Sequence, residues 1–355
     1  MAARQPSDDR LLTDTAGAEL RSVSALLERM HDVRPRDLHV QRRAFRGGLE
    51  SAGVARLVAH YLDHRDRRRV FTLVVKHLRG ATTREALIYE HLVAGVTANL
   101  APGLLATHRP GPGGAVLYLE AVRRTSAWPW KDLRNAQAVL DRVARLHADA
   151  RSQEAVATLG AWDYEADLQQ TAMLTITRLE LLPSSADFTH LRRGTRLVRR
   201  VVAALPLMRR QLLTFAPLTR TAIHGDLHSG NAVMRRRGGR EEPVLLDWGR
   251  ARLGSPLEDV SSWLHSLGCW EPEARRRHDT LFSAYLSARG LDRILHSDLR
   301  GAYWLAGASN ALAGALLHHL SVATDHTVSD ARRASAVSSA LEWLRVLRRA
   351  DALWS

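Results

Sequence analysis

Apolar residues fall into short alternating or β-branched segments in one part of the chain, between residues 38 and 122. Four of these segments are typical of strands: LHVQRRAFR (38–46), VARLVAHYL (54–62), VFTLVVKHL (70–78) and AVLYLEAV (115–122). The stretch GGLESAG (47–53), between the first two segments, is typical of a hairpin with a glycine-rich tip. We therefore expect a small antiparallel sheet in this region.

Helical spacing, with apolar residues three or four positions apart, dominates elsewhere. The segments with this spacing are 8–31, 82–96, 135–150, 163–182 and 192–215, and further helices are expected after residue 247. Strand-like sequence returns only around 221–247. The change in the spacing of apolar residues along the chain predicts an α+β fold in three parts. These parts are a helical extension (1–37), a β-rich N-terminal lobe (38–120) and a larger helical C-terminal lobe (121–355). A ligand is expected in a cleft where two such lobes meet.

The composition is that of a globular protein in a reducing compartment. Apolar residues make up 45% of the chain and charged residues 25%, and there is a single cysteine. The first residues have no apolar core of the kind that a secretory signal needs. The longest apolar run, 301–320, contains Asn310 and two histidines, so it is typical of a buried helix rather than a membrane span. We expect a cytoplasmic monomer or homodimer without a membrane partner.

The formal charge of +14 raises the question of nucleic-acid binding. The basic residues are spread along the chain without interleaved aromatic residues or a nucleic-acid motif, which disfavours a nucleic-acid partner. All but two of the 51 basic residues are arginine, the exceptions being Lys76 and Lys131. A chain that uses arginine almost everywhere can keep a lysine where a compact ammonium is needed, which draws attention to Lys76.

The segment HGDLHSGN (224–231) carries the densest set of chemically active residues. His224, Asp226 and His228 could be metal ligands along one side of a strand. Alternatively, H-x-D-L-x-x-x-N followed by Asp247-Trp-Gly is the order of a kinase catalytic loop and its downstream metal-binding aspartate. The metal-hydrolase hypothesis is disfavoured because the later histidines, such as His265, have no recognisable ligand spacing.

Phosphoryl transfer also needs a cation on the ATP phosphates and a group that holds this cation. Lys76 ends a β-branched strand, and Glu85 lies in the next predicted helix on the face that points toward the core. A carboxylate in that position needs a cationic partner. The alternatives are that Glu85 only completes a capping box with Thr82, or that Glu90 is the partner instead.

The other residues of the set also have simpler structural explanations. Asp226 could be a turn or helix-capping residue, and Asn231 could merely favour a turn. His224 is expected to be structural, bonding to the backbone of its loop, even in a kinase. The order of the whole set, from glycine hairpin to D-W-G, favours the kinase hypothesis over these separate alternatives.

Taken together, H-G-D-L-H-x-G-N, L-L-D-W and G-S-P-L-E-D-V (254–260) resemble the aminoglycoside phosphotransferase and choline kinase-like family. The resemblance covers the chain from about residue 38 onward and implies a bilobal protein kinase-like fold. It implies that Asp226 is the general base and that Asn231 and Asp247 hold Mg²⁺. Lys76 would contact the α- and β-phosphates of ATP, with Glu85 fixing its ammonium group.

The resemblance also implies supporting roles. Asp259 and His224 would brace the catalytic loop, and the backbone of Glu120 to Val122 would bind adenine. Gly48 and Ser51, in the non-standard glycine loop, are candidates for nucleotide contact. Gly225 stands where protein kinases carry arginine, which disfavours a regulated protein kinase. The sequence also indicates where the helix after Asp247 begins, without reference to the resemblance, because Ser255 and Glu258 have the spacing of a capping box.

The acceptor is the least defined part of the prediction. Polycationic aminoglycosides favour acidic pockets, whereas this chain is strongly basic, and Glu271 and Asp163 are only scattered candidate ligands. We expect transfer of phosphate to a hydroxyl of an antibiotic, either an aminoglycoside or another hydroxylated compound, as in resistance enzymes. The alternatives are a kinase of a primary metabolite, such as choline, an amino alcohol or a sugar, and a catalytically inactive nucleotide-binding module.

Overall fold

A computed structural model describes the chain from residue 8 to residue 354, apart from the segments 32–34, 45–52, 96–98, 124, 126–131, 161, 217, 271–274 and 294–295. The chain divides into two compact units, Met1–Arg123 and Arg124–Ser355. The first unit is rich in β-structure and the second is largely helical, which confirms the predicted α+β fold class.

The first unit is built on an antiparallel sheet of five strands in the order β1-β2-β3-β5-β4. The strands are β1 (Arg36–Ala44), β2 (Val54–Leu62), β3 (Arg68–Arg79), β4 (Leu104–Gly111) and β5 (Gly114–Glu120). Strand β2 has the predicted bounds, and β1, β3 and β5 differ from their predicted bounds by one or two residues. Strand β4 was not predicted, because its second half contains the Pro and Gly residues of RPGPGG.

The core of the first unit lies between helix α1 (Asp8–His31) and one face of the sheet. On the helix, Val23, Leu26 and Leu27 are spaced three and four residues apart, so they lie on one face. This face packs in a cluster with buried sheet residues such as Leu57 and Leu73. The N-terminal helix therefore packs into the same core as the sheet.

The segment after β3 is less regular than the single helix predicted for residues 82–96. It consists of a 3₁₀ turn (Gly80–Thr83), helix α2 (Arg84–Ile88) and a π-helical turn (Tyr89–Val93). The predicted capping box of Thr82 with Glu85 is wrong. The Thr82 hydroxyl accepts from the amide of Arg79 and donates to its carbonyl, both at 2.8 Å, so it closes the turn that precedes the helix.

The second unit consists mostly of helices, as the spacing of apolar residues predicted. In chain order they are α3 (Leu133–Ala148), α4 (Ala150–Ala157), α5 (Tyr164–Glu180), α6 (Thr189–Arg193), α7 (Thr195–Leu213), α8 (Pro256–Trp270), α9 (His278–Ala288), α10 (His296–Asn310), α11 (Leu316–Ala323) and α12 (Asp330–Trp354). The apolar run 301–320 lies in α10, α11 and the π-helical turn between them, and Leu312, Leu316 and Leu320 are fully buried. In the described part of the chain, no helix is long and apolar enough to span a membrane.

Four short strands interrupt the helices of the second unit and carry the HGDLHSGN segment. Strand β6 (Thr221–Ile223) pairs with β9 (Arg252–Gly254), and β7 (Ala232–Arg237) forms a hairpin with β8 (Arg240–Leu245). Residues 224–231 connect the two pairs. Residues 235–243 (RRRGGREEP) form the outer part of this hairpin, where Arg237 pairs with Arg240.

Candidate functional site

The loop between β6 and β7, residues 224–231, holds four of the polar residues singled out in the sequence. Its last part is a 3₁₀ turn, Ser229–Asn231, and the turn is closed by His228, whose Nδ1 accepts from the amide of Gly230 at 3.0 Å. The loop is also tied to α8, because the amide of Ser229 donates to the hydroxyl of Ser266 at 3.0 Å.

Asp259, in the first turn of α8, fixes the start of this loop. Its carboxylate accepts from the amides of His224 at 2.7 Å and Gly225 at 2.8 Å, and from Nε2 of His147 at 3.1 Å. Burial opposes ionisation of this carboxyl group, but the hydrogen bond from His147 and the charges and amide around it hold its pKa below the ordinary value. The positive end of the α8 dipole adds to the stabilisation of a negative charge in the first turn.

Gly225 is required by the backbone geometry of the loop. Its φ is +80°, and a Cβ at this position would lie 2.2 Å from the carbonyl oxygen of Arg250 and 2.4 Å from Nη1 of Arg252. No other residue fits there without displacing backbone. The glycine is therefore needed to fold the loop, which adds a steric reason to the distinction from protein kinases drawn from the sequence.

His224 lies inside the loop as a structural residue. Its ring is fully buried, Nε2 is 3.0 Å from the carbonyl oxygen of Leu246, and Nδ1 accepts from the amide of Asp226 at 3.3 Å. Burial lowers the pKa of His224, although the carboxylates around it oppose this shift. With both ring nitrogens engaged, His224 is not placed to ligate a metal. Among the described residues, no group of three or more His, Cys, Asp or Glu side chains could hold one.

The carboxylate of Asp226 is oriented by Asn231. The Asn231 side-chain amide donates to the backbone oxygen of Asp226 at 3.0 Å and to its carboxylate oxygen Oδ2 at 3.1 Å. On the other side, Nε2 of His228 lies 3.8 Å from the same Oδ2. Asp226 is about 39% exposed, so its carboxylate is held in position and still reaches the surface of the loop.

Asp247 follows β8 at the same end of the hairpin at which Asn231 precedes β7. Ala232 pairs with Leu245, and the amide of Leu246 donates to the carbonyl of Asn231 at 2.7 Å. Asp247 is exposed and has a φ of +61°, a conformation that non-glycine residues rarely adopt and that is concentrated at functional sites. Mg²⁺ prefers oxygen ligands and usually takes only one or two from a protein, the rest coming from water and phosphate. One amide oxygen and one carboxylate at this end of the hairpin fit that requirement.

Trp248 fixes the backbone next to Asp247. Its indole is fully buried and donates to the carbonyl of Leu245 at 2.9 Å, and its ring centroid lies 4.7 Å from that of His224. The tryptophan therefore joins the strand that ends at Leu245 to the start of the loop between β6 and β7 (224–231).

A second buried carboxylate, Glu258, stands beside Asp259 and was expected only as a capping residue. The capping box is present, since Glu258 accepts from the amide of Ser255 at 3.0 Å and the Ser255 hydroxyl accepts from the amide of Leu257 at 3.3 Å. Glu258 also accepts from Arg209 at 2.7 Å and from Arg252 at 2.6 Å. The charges of these arginines outweigh burial and keep the pKa of Glu258 below its ordinary value.

This network of ion pairs extends to the loop between β6 and β7. The sequence alone did not predict the network. Arg252 donates to the carbonyl of Gly225 at 3.4 Å, and Arg209 also binds Glu165 at 2.8 Å. Arg209 and Arg252 resemble the other arginines of the chain in the sequence and carry no local signal. The burial of His147, in contrast, could be predicted, because this residue lies on the apolar face of the predicted helix 135–150.

In the first unit, Lys76 and Glu85 form an ion pair. The Nζ of Lys76 lies 2.5 Å from Oε2 of Glu85, and the side chains are 15% and 4% exposed. Lys76 is on the inner strand β3, paired with Val54 on one side and Leu117 on the other. Glu90, the competing partner, instead forms a two-pronged ion pair with Arg109.

The remaining candidate residues are less well supported. The amide and the side chain of Glu120 are both engaged with Gly103, the amide donating to its carbonyl at 2.8 Å, and Val122 follows just beyond β5. Asp163 caps α5 by accepting from the amide of Ala166 at 3.0 Å. Three candidates lie outside the described residues: Gly48, Ser51 and Glu271.

Comparison with solved structures shows the same fold in proteins of low sequence identity. A microcompartment-associated aminopropanol kinase aligns with a TM-score of 0.56 at 14% identity, covering 93% of this chain and 98% of the other. Ethanolamine kinase from Plasmodium vivax aligns with a TM-score of 0.55 at 12% identity, covering 87% and 81%. Spectinomycin phosphotransferase, solved with ADP and spectinomycin, aligns with a TM-score of 0.50 at 12% identity, covering 94% and 98%. These similarities show a kinase-like fold.

Family membership follows from the sequence itself. A search of curated proteins gave no match. The model of the phosphotransferase enzyme family known as APH, however, matches residues 65–295, a range that includes Lys76, the HGDLHSGN loop (224–231) and Asp259. The chain therefore belongs to the APH phosphotransferase family and is a phosphotransferase.

Proposed function

We propose that this phosphotransferase transfers the γ-phosphate of ATP, with Mg²⁺, to a hydroxyl group of an antibiotic. The observation that carries the proposal is the geometry of Asp226, whose carboxylate is oriented by Asn231 on a loop braced by Asp259. Positioning is most of what phosphoryl transfer asks of a protein, because the reacting oxygens must be in line and little covalent chemistry is needed.

In this mechanism Asp226 accepts a hydrogen bond from the acceptor hydroxyl and takes up its proton as the new bond forms. The hydroxyl oxygen attacks the γ-phosphorus, the bond from that phosphorus to the β,γ-bridging oxygen breaks, and ADP leaves. Asn231 and Asp247 would hold Mg²⁺, which supplies positive charge against the phosphate oxygens when it is bound.

Lys76 is proposed to contact the α- and β-phosphates, with Glu85 holding its ammonium group in place. The pair is nearly buried, so the carboxylate fixes the position of the lysine in addition to balancing its charge. Adenine would bind the backbone between Glu120 and Val122. Since the Glu120 amide is already bonded to Gly103, the remaining backbone groups of that segment would make the contact.

The charge of the chain favours an acceptor without a high positive charge, because the formal net charge is +14 and a basic protein repels polycations. Polycationic aminoglycosides usually bind to clusters of carboxylates. Burial lowers the pKa of His318 and lowers that of His319 to about 4, so both side chains are neutral at pH 7 and offer hydrogen bonds rather than charge. We therefore favour a neutral hydroxylated antibiotic, such as a macrolide, nucleoside or peptide compound.

A metabolite kinase is the second candidate, favoured by the shared fold of kinases that are described as acting on ethanolamine and aminopropanol. These acceptors carry one positive charge, whereas the chain has a formal net charge of +14, so among metabolites we favour a neutral, sugar-like acceptor.

The test is an ATP-consumption screen over neutral antibiotics, aminoglycosides, amino alcohols and sugars, with Mg²⁺ present. We expect turnover with a neutral hydroxylated compound and a loss of at least about 1,000-fold in both Asp226→Ala and Asp247→Ala. Exposed Asp187, replaced by asparagine, serves as the matched control and should retain full activity. Undiminished turnover in both active-site variants would refute the kinase mechanism. Nucleotide binding without transfer to any acceptor would favour the inactive-module alternative.

A further inference from the structure

The second unit contains a large pocket that the proposed chemistry does not use. Its volume is about 840 Å³, which is within the range of small-molecule sites in proteins. It is lined by residues from the C-terminal half of α8, from α9, α10 and α12, and by Arg275, which precedes α9. We refer to it as the α12 pocket.

The α12 pocket lies on a different face of α8 from the catalytic loop. Asp259 and Ser266, which hydrogen-bond to that loop, are seven residues apart and therefore share a face, since each residue turns a helix by about 100°. Leu264 and His265, which line the pocket, are turned by about 120–140° away from Asp259. Helix α8 therefore separates the pocket from the loop.

The inner wall of the pocket is aromatic. The ring of His265 lies 5.4 Å from those of Tyr303 and Trp304 and 5.7 Å from that of Trp343, measured between centroids. Two further rings, of His278 and Phe282, pack beside Tyr303 at 5.3 Å and 5.2 Å. Such a wall offers flat apolar surfaces against which an aromatic ring can pack.

One polar atom in this wall has no partner among the residues that the structure describes. The Nε2 of His265 is fully buried and makes no hydrogen bond with any residue that the structure describes. A buried polar atom without a partner is costly and calls for a ligand or water. Gly307 leaves the space that the ring occupies, because a Cβ there would lie 3.1 Å from Nε2.

The outer wall of the pocket is positively charged. Among the described residues that line it, arginines outnumber carboxylates five to two: Arg275, Arg300, Arg345, Arg348 and Arg349 against Asp279 and Glu342. Glu342 is already paired with Arg275 at 3.2 Å and with Arg345, so it does not offset the remaining cations. Arg348 and Arg349 follow Arg345 by three and four residues, and all three are exposed on the same side of α12.

We propose that the α12 pocket binds an organic anion with a flat aromatic body, at a site separate from the catalytic loop. The aromatic body packs against Trp304 and Trp343, and a hydrogen-bonding atom of the ligand reaches Nε2 of His265. The anionic group, a carboxylate, sulfonate or phosphate, binds the arginines of α12, which are suited to two-pronged contact with such groups. Arg349 already stacks over Trp304 at 5.7 Å, so one arginine contributes to both parts of the site.

The experiment uses 2-naphthoate as the probe and calorimetric titration of the full-length protein. We expect saturable binding, and binding at least about tenfold weaker for the uncharged analogue 2-naphthylmethanol. The double variant Arg345→Gln, Arg349→Gln should weaken naphthoate binding at least about tenfold. The matched control removes two exposed arginines from α7, Arg196→Gln and Arg210→Gln, and should leave binding unchanged.

A second variant and a second probe test the inner wall. The probe is 6-hydroxy-2-naphthoate, whose hydroxyl can hydrogen-bond to Nε2 of His265 while its carboxylate binds the arginines. His265→Phe keeps an aromatic ring and removes the nitrogen, so it should weaken binding of this hydroxylated probe about five- to tenfold while leaving the circular dichroism spectrum unchanged. In the wild-type protein, the side-chain NMR signals of His265 should shift on titration. The proposal would be overturned by the absence of binding at millimolar naphthoate, by equal affinity for the uncharged analogue, or by equal binding to the α7 and α12 double variants.

Discussion

The two ends of helix α8 differ in how their buried polar groups are satisfied. At the N-terminal end, Glu258 and Asp259 are almost fully buried, and their carboxylates are bonded to arginines, a histidine and backbone amides. Toward the C-terminal end, His265 is only half-buried as a residue, but its Nε2 is buried and has no partner among the described residues.

The difference separates two uses of a buried polar group. A charge whose partners are all supplied by the protein fixes the position of those partners. Here the charge is Asp259, and the partners include the backbone of the loop between β6 and β7. A polar atom left without a partner in an aromatic cavity keeps its hydrogen-bonding capacity for something that the protein does not supply.

The largest effect is expected from Glu258→Ala. This change leaves Arg209 and Arg252 buried, at 3% and 6% side-chain exposure, without their shared carboxylate. Breaking a buried pair in this way costs about 3–5 kcal/mol. The free energy of unfolding from urea denaturation, with an unchanged slope, measures the loss. A loss below about 1 kcal/mol would mean that water reaches the network and that it is not a buried brace.

The next effect is expected from Asp259→Asn, which keeps the shape of the side chain and removes its charge. Hydrogen bonds to a charged group contribute about 1.5–3 kcal/mol, and Asp259 binds two loop amides as an anion. Because the loop positions Asp226, we expect kcat to fall about 10- to 100-fold while KM changes less than about threefold. An unchanged kcat in a destabilised variant would show that Asp259 supports folding and not the position of the loop.

The parts of the site that the sequence predicted are local. H-x-D-L-x-x-x-N places Asp226 and Asn231 five residues apart in one loop, so their contact follows from the chain between them. The pair of Lys76 and Glu85 was also predictable, because a carboxylate on the buried face of a helix needs a cation. Lys76 was the expected cation, because lysine is rare in this chain and Lys76 lies on a strand.

The parts that the sequence did not predict depend on contacts between distant segments. Arg209 lies 49 residues before its partner Glu258 and is one of many arginines, so nothing local distinguishes it. The fold shows the same limit. Strand β4 was missed because Pro110 and Gly111 are typical of turns, whereas pairing with β5 overrides that preference at the edge of the sheet.

A smaller effect, at the other end of α8, is expected from the pH dependence of His265. Burial lowers the pKa of His265 to about 3 from the model-compound value of 6.5. Between these two values the unfolded chain binds the proton and the folded protein does not, so stability falls as the pH drops through this window. The contribution is about 1.4 kcal/mol per pH unit.

The measurement is urea unfolding of the wild type and His265→Phe at pH 7 and pH 5. Phenylalanine cannot titrate, so between these pH values the wild type should lose about 2 kcal/mol more stability than the variant. Equal losses would mean that His265 is already protonated in the folded protein, which its aromatic surroundings oppose. They would also mean that its Nε2 donates to a partner or to water.

The smallest effect is expected from Glu180→Gln, which removes an ion pair of the same chemistry as Glu258 with Arg209. Glu180 accepts from Arg199 at 3.1 Å, but the two side chains are 41% and 63% exposed. Water solvates both charges in either state, so the pair should contribute less than about 1 kcal/mol, and 0.5 M salt should remove most of that contribution. If Glu180→Gln cost as much as Glu258→Ala, burial would not be what gives the α8 network its strength. The comparison of the two ends of that helix would then rest on the presence of partners alone.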